Sequence, residues 1–117
     1  MGKLTTHVLD TAHGCPAAGM KVRFSRLEKG GATELRALTL NDDGRADGPL
    51  LDGSTHRAGR YRLVFSVAAY FAACGVKLPD PPFLDEVTVA FGIAVDGGHY
   101  HVPLLVSPYG YSTYRGS

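Results

Sequence analysis

Three histidines of this sequence lie in stretches whose alternation predicts β-strands, with the imidazoles on the polar side of each strand. In HYHVPLLV, every second residue from Tyr100 is apolar, so His99 and His101 are predicted to share the opposite face, about 7 Å apart. In LTTHVLD, His7 likewise lies opposite the apolar residues. An imidazole titrates near neutral pH, and these positions therefore suit acid/base chemistry.

Spacing alone leaves three interpretations of these histidines open. They are scattered surface residues, or acid/base groups, or ligands of a zinc ion. A His-x-His pair on one strand face can bind zinc if another strand supplies a third ligand. That zinc site would use His7, His99 and His101.

Arg45 follows the turn-forming residues DDG in the segment NDDGRADG, which we predict to be a loop. An arginine there is most often solvated, yet a guanidinium group can also hold a planar, oxygen-rich ligand or neutralise an oxyanion.

The C-terminal stretch YGYSTYRGS raises a similar question, because it stays rich in tyrosine and carries Arg115 close to its last residue. Either an edge strand runs out there, or the tail is held in place for a function.

The elements that must position these residues are mainly strands. Period-two alternation predicts strands in RYRLVFSV and EVTVAFGI, and less distinctly in KLTTHVLD, MKVRFSRLE and TELRALTL. The turn VDGG is predicted to join EVTVAFGI and HYHVPLLV as an antiparallel hairpin. One alanine-rich segment predicts a short α-helix over about Val67–Gly75. Seven or eight strands with one helix predict a mainly β, antiparallel β-sandwich.

Length and composition fit one globular domain over residues 1–117. A formal net charge of +1 gives no reason to expect nucleic acid or an anionic membrane as a partner. No stretch is apolar for long enough to be a signal peptide or a membrane span, so a cytoplasmic protein is expected. Cys15 and Cys74 are expected to be free thiols, and His13 and His56 to be solvated residues of turns.

Several of these segments together resemble one known family, the transthyretin-related 5-hydroxyisourate hydrolases. The similarity is carried by LTTHVLDTAHGCPAAGMKV, NDDGR, GRYRLVF, AYF and HYHVPLLVSPYGYSTYRGS, and it runs from about Leu4 to Ser117. The terminal YRGS is the mark that separates these hydrolases from transthyretin, the hormone carrier of the same fold. The resemblance implies a transthyretin-like sandwich assembled into a homotetramer, with active sites between dimers.

The resemblance also implies a role for particular residues. His7, Arg45 and His101 match the catalytic positions, and Tyr114, Arg115 and Ser117 of the tail would complete the substrate pocket. The implied reaction is hydrolysis of a cyclic amide in 5-hydroxyisourate, without a cofactor or metal. His99 is a weaker candidate that would support His101.

Two alternatives remain at this point. One is a non-catalytic carrier that binds a small planar ligand on the same sandwich. The other is the zinc-dependent enzyme with His7, His99 and His101 as ligands.

Overall fold

The computed structural model describes residues 2–95 and 97–116, which form a sandwich of two β-sheets with one short helix. The strands are β1 (Lys3–Asp10), β2 (Cys15–Pro16), β3 (Lys21–Glu28), β4 (Gly31–Thr39), β5 (Leu51–Asp52), β6 (Gly59–Phe65), β7 (Val87–Ile93), β8 (Tyr100–Ser107) and β9 (Gly110–Thr113). Helix α1 spans Val67–Ala73, and a 3₁₀ turn spans Gly53–Thr55. The mainly β sandwich with one helix is confirmed, and the predicted helix is two residues too long at its C-terminal end.

The first sheet has the order β2-β1-β8-β9, with β5 pairing to the N-terminal end of β1. The second sheet has the order β4-β3-β6-β7 and is antiparallel throughout. One pairing in the first sheet is parallel: β1 runs alongside β8, with Thr5 opposite His101 and His7 opposite Pro103. The sequence-based expectation of purely antiparallel pairing missed this contact, which positions the two histidine-bearing strands.

The predicted hairpin between β7 and β8 is wrong. β7 pairs with β6 in the second sheet, whereas β8 lies between β1 and β9 in the first sheet. The physical reason is the burial of β8, in which Tyr100, Val102, Pro103, Leu104 and Val106 are all buried. A strand this apolar is most stable at the centre of a sheet. A turn-forming sequence can connect strands of two different sheets as well as the two strands of a hairpin.

The core between the sheets follows the predicted alternation. The inward side chains of β6 are fully buried, and so are most of those on β1, β3 and β8, including Leu4, Val8, Phe24, Tyr61, Leu63, Phe65 and Leu104. Helix α1 closes one end of this core with Val67, Tyr70 and Phe71. Burying the inward faces leaves Thr5, His7 and Leu9 of β1 half-buried on the outer face of the first sheet.

Of the two histidines expected to be solvated residues of turns, His13 is exposed and His56 is half-buried, and each also contacts another residue. His13 lies 2.6 Å through Nδ1 from a carboxylate oxygen of Asp10, and His56 contacts the Gly98 carbonyl through Nε2 at 3.0 Å. Asp10 is three residues from His13, whereas Gly98 is 42 residues from His56 and could not be identified from the turn pattern. Cys15 and Cys74 are free and exposed, as expected.

The described residues contain no helix that is long and apolar enough to cross a bilayer. The cytoplasmic location stays a prediction.

Candidate active site

His7 and His101 come together on the outer face of the first sheet because their strands pair in parallel. His101 is opposite Thr5 in the register, two residues before His7, so the histidines are diagonal neighbours on adjacent strands. Their ring centroids are 6.4 Å apart, and both residues are half-buried. Strand alternation placed both side chains on outer faces, and the parallel register brings those faces together.

Each imidazole is oriented by a neighbour. The hydroxyl of Thr5 lies 2.7 Å from Nδ1 of His101, which leaves Nε2 for another partner. The ring of His7 is hydrogen-bonded to the backbone of Asp43, a contact that favours the protonated ring, as an N–H donating to a carbonyl does. One nitrogen of each ring is thus engaged and the other is available.

Arg45 reaches the pair from the loop between β4 and β5. The loop lies against β1: the amide of Val8 donates to the Gly44 carbonyl at 2.9 Å, and His7 and Arg45 form an isolated antiparallel bridge. Within residues 2–95 and 97–116, no carboxylate lies within ion-pair distance of the Arg45 guanidinium. An exposed, unpaired guanidinium beside two imidazoles can bind an anionic or oxygen-rich ligand.

The loop that carries Arg45 is fixed by Asn41 and Gly44. The side-chain carbonyl of Asn41 accepts hydrogen bonds from the amides of Asp43 and Arg45, at 2.9 and 3.1 Å. Gly44 has a φ of +72°, and a Cβ there would lie 2.5 Å from the Val8 carbonyl oxygen. Since any other residue at position 44 would clash with β1, the glycine before Arg45 is a geometric requirement for the close approach of the loop.

The electrostatics of the site keep both histidines neutral. Burial lowers the pKa of His7, and the charge of Arg45 lowers it further, against a smaller opposing effect of Asp43. Burial lowers the pKa of His101 as well, followed by the charges of Arg45 and His7. Neutral imidazoles at neutral pH have a free lone pair and can act as bases.

The C-terminal tail docks on this pair through its backbone. His101 and Gly116 form a two-way bridge in which the Gly116 amide donates to the His101 carbonyl at 2.7 Å and the His101 amide donates back at 3.1 Å. A Cβ at Gly116 would lie 3.1 Å from Cβ of His101 and 3.2 Å from its Cδ2. Gly116 therefore lies beside His101 in continuation of the β8–β9 pairing, and a larger residue there would crowd the histidine side chain.

Arg115 is held against Tyr100 and His99. Its guanidinium lies 4.0 Å from the ring centroid of Tyr100 and donates to the carbonyl of His99 at 2.9 Å. Tyr114 is 61% exposed, and Ser117 lies outside the described residues. Within one chain, the tail thus brings Gly116 to the histidines, while Arg115 is engaged in a structural contact.

A separate apolar groove of about 260 Å³ runs along the other side of the tail, lined by Phe91, Tyr100, Val102, Tyr114 and Arg115 among others. Neither His7, Arg45 nor His101 lines this groove. The candidate active site is thus an open surface in the single chain, and the groove lies between β7 and the tail that follows β9.

The predicted supporting residue His99 lies just before β8, which begins at Tyr100, and it is exposed. The alternation that paired it with His101 therefore does not extend to it. Among the described residues, no three histidine, cysteine, aspartate or glutamate side chains come close enough to hold a metal ion. The geometry gives no support to a zinc site made of His7, His99 and His101.

Sequence reasoning missed three residues of the site. Thr5 orients His101, Asn41 organises the arginine loop, and Gly116 packs on the imidazole. Asn41 had a local signal, since an asparagine before DDG commonly forms such a turn. Thr5 had none, because it is 96 residues from His101 and only the parallel register brings the two together.

The chain is thus a transthyretin-like β-sandwich whose outer face carries a candidate acid/base site, made of two histidines with lowered pKa values and an arginine without an ion-pair partner in the described residues. The sequence model of the HIUase/Transthyretin family matches residues 4–116, and the chain belongs to that family.

Individual relatives agree with this membership. A 5-hydroxyisourate hydrolase of Pseudomonas aeruginosa is 59% identical, with the alignment covering 100% of this chain and 93% of the relative. A solved (S)-allantoin synthase has a TM-score of 0.93 at 46% identity, and the alignment covers 99% of this chain but 44% of that one. This chain therefore spans less than half the length of the synthase. A sea bream transthyretin solved with thyroxine has a TM-score of 0.86 at 28% identity, covering 97% and 94% of the two chains.

Proposed function

We propose that this chain hydrolyses 5-hydroxyisourate by opening its cyclic amide, as the name of the Pseudomonas aeruginosa relative describes for that protein. The observation that carries the proposal is the pair of histidines, 6.4 Å apart, with depressed pKa values beside an arginine without a carboxylate partner in the described residues. A carrier of neutral ligands needs no such pair. The product proposed is 2-oxo-4-hydroxy-4-carboxy-5-ureidoimidazoline.

His7 is the proposed base. Its contact with the backbone of Asp43 uses one ring nitrogen, while burial and then the charge of Arg45 lower the pKa of His7 and so favour a free lone pair on the other nitrogen. That lone pair takes a proton from water as the resulting hydroxide adds to the amide carbon. The oxygen of that carbonyl then carries the negative charge of the tetrahedral intermediate.

Arg45 is the proposed electrostatic partner of that oxygen. The loop holds the guanidinium of Arg45 beside His7, so the N–H donors of this group are in place before the negative charge develops on the oxygen. The proton taken up by His7 is proposed to reach the departing ring nitrogen by way of His101, which accepts a proton at one ring nitrogen and releases one from the other as the C–N bond breaks. The Thr5 hydroxyl can donate to Nδ1 or accept from it, and His101 can therefore hold its proton on either nitrogen during this transfer.

The tail and the assembly complete the proposal. The backbone of Gly116 pairs with that of His101, and we propose that Tyr114, Arg115 and Ser117 shape the substrate pocket when four chains assemble as a homotetramer. The open surface of the site in a single chain is consistent with walls supplied by a partner subunit. The edge strands β7 and β9 each have a free side on which another chain can pair.

The test is the ultraviolet absorbance of freshly generated 5-hydroxyisourate, with and without the protein. We expect the wild type to accelerate the decay, and His7→Asn and His101→Asn to reduce kcat/KM by about 10²–10⁴-fold. His13→Asn is the matched control, because that histidine contacts Asp10 and Phe71 away from the site. A wild-type protein that leaves the spontaneous decay unchanged would refute the proposal, and tight thyroxine binding without turnover would favour the carrier.

A further inference from the structure

Three arginines line a concave surface at the open end of the sandwich, away from the histidine pair. Arg26 lies on β3, Arg36 on β4 and Arg57 two residues after the 3₁₀ turn, around a cavity of about 350 Å³. Arg26 and Arg36 have core-facing positions: Arg26 is opposite Tyr61 in the register and Arg36 is opposite Phe24. Because β5 is only two residues long, the first sheet does not cover them there.

The positive charge of this cavity is not neutralised within the described residues. The ion pairs of residues 2–95 and 97–116 are His13 with Asp10 and Arg23 with Glu86, so none involves the three cavity arginines. Arg26 lies over the ring of Tyr61 at 5.6 Å, and Arg36 makes a long hydrogen bond of 3.5 Å to the Pro49 carbonyl. Three like charges around one concavity repel one another, and a bound anion would relieve that repulsion.

The rest of the lining suits an organic anion better than a bare ion. Leu50 and Leu51 are 6% and 5% exposed and form an apolar floor, and the Ser54 hydroxyl lies at the rim. Low-polarity walls strengthen ionic contacts, and guanidinium forks bind carboxylate and phosphate groups through paired hydrogen bonds. The volume is sufficient for a small molecule of two or three charged groups.

We propose that this cavity binds a small organic anion with two or more negative charges, either a polycarboxylate or a phosphate compound. None of its lining residues belongs to the site of His7, Arg45 and His101. The binding site is therefore distinct from the proposed hydrolytic site, and its occupancy can be measured without substrate.

The experiment is an NMR titration of the uniformly ¹⁵N-labelled protein with citrate, and separately with pyrophosphate, at constant ionic strength. We expect saturable shifts in the amides of residues 50–57 and in the side-chain N–H signals of the cavity arginines. Binding of citrate alone identifies a polycarboxylate site, binding of pyrophosphate alone a phosphate site, and binding of both a general polyanion site. Each of these results supports the proposal.

Arg57→Gln and Arg36→Gln are expected to weaken binding at least tenfold, since each removes one of three fixed charges. Arg60→Gln is the matched control: this exposed arginine on β6 does not line the cavity. Thermal melts of all variants establish that they fold. Shifts that fail to saturate, that cluster at His7 and Arg45, or that weaken equally in Arg60→Gln would overturn the proposal.

Discussion

Arg45 affects the candidate site through its charge before any ligand binds. It is exposed and forms no ion pair within the described part of the chain, yet it lowers the pKa of both histidines. An imidazolium beside a guanidinium is disfavoured, so protonation of either ring is delayed to lower pH. The effect of Arg45 on the histidines can therefore be separated from its proposed effect on the substrate.

The first prediction separates these effects by pH. The proposed base must be unprotonated, so kcat/KM should rise with pH through a pKa below 6.5. Arg45→Gln removes the charge that lowers this pKa, and we expect the acidic limb to move to higher pH while kcat/KM falls by about 10²–10³-fold.

Arg45→Lys is the matched variant for this prediction, because it keeps the positive charge but replaces the planar guanidinium by a single ammonium group. Its acidic limb should stay close to that of the wild type, although its rate also falls. Full pH–rate profiles of the three proteins provide the measurement. If the acidic limb of Arg45→Gln lies at the same pH as that of the wild type, the proposed effect of the Arg45 charge on the pKa of the base is contradicted.

The second prediction concerns Thr5 as a positioning residue. Thr5→Val keeps the shape but removes the hydroxyl 2.7 Å from Nδ1 of His101. We expect kcat to fall about tenfold, the equivalent of a hydrogen bond of about 1.4 kcal/mol, with little change in KM. Thr5→Ser should restore most of the rate. Equal losses in the serine and valine variants would show that the side chain acts through packing alone.

At the scale of elements, a buried carboxylate connects the turn after β1 with helix α1. Asp10 is 1% exposed and accepts hydrogen bonds from the His13 amide at 2.9 Å and from the Tyr70 hydroxyl at 2.8 Å. The His13 ring adds a third contact at 2.6 Å. Burial raises the pKa of Asp10, but these hydrogen bonds lower it by more, and its net pKa lies below the usual value.

The third prediction follows from that shift. A carboxylate whose pKa is lower in the folded than in the unfolded chain stabilises the fold above the unfolded pKa of about 3.9, and this contribution is lost as pH falls through the folded value. Asp10→Asn should lower the free energy of unfolding by about 2 kcal/mol at neutral pH. The difference between variant and wild type should shrink at about pH 2.

Chemical denaturation at both pH values provides the measurement. Asp85→Asn is the control, since Asp85 is exposed and should change stability little at either pH. A destabilisation by Asp10→Asn that is the same at both pH values would mean that the ionised carboxylate contributes nothing beyond packing.

For the whole molecule, the fourth prediction is the state of assembly. Edge strands of both sheets, β4, β7 and β9 among them, and exposed aromatic residues (Phe83, Tyr109, Tyr111 and Tyr114) remain uncovered in the described part of one chain. Free edges and apolar surface of this kind favour association. Light scattering after size exclusion should give four times the chain mass of 12.4 kDa. A mass of one chain with full hydrolase activity would exclude a site completed by a partner.

The sequence by itself determined which faces of the strands are apolar and which residues leave them. Alternation in LTTHVLD and HYHVPLLV places His7 and His101 on outer faces, and NDDGR predicts the loop of Arg45, because these are local consequences of period and turn chemistry. The motif resemblance added the family and the roles of these residues. Local pattern was therefore sufficient for the fold class and for the strand faces and the loop that carry His7, His101 and Arg45.

The tertiary structure decided which strands become neighbours. Thr5 and His101 are 96 residues apart, and their contact depends on the parallel register of β1 and β8. The pairing of β8 with β9 in place of β7 also depends on the tertiary structure, and so does the backbone bridge between Gly116 and His101. Strand pairing is set by burial of whole faces across the molecule, and alternation within one strand carries no information about its partner.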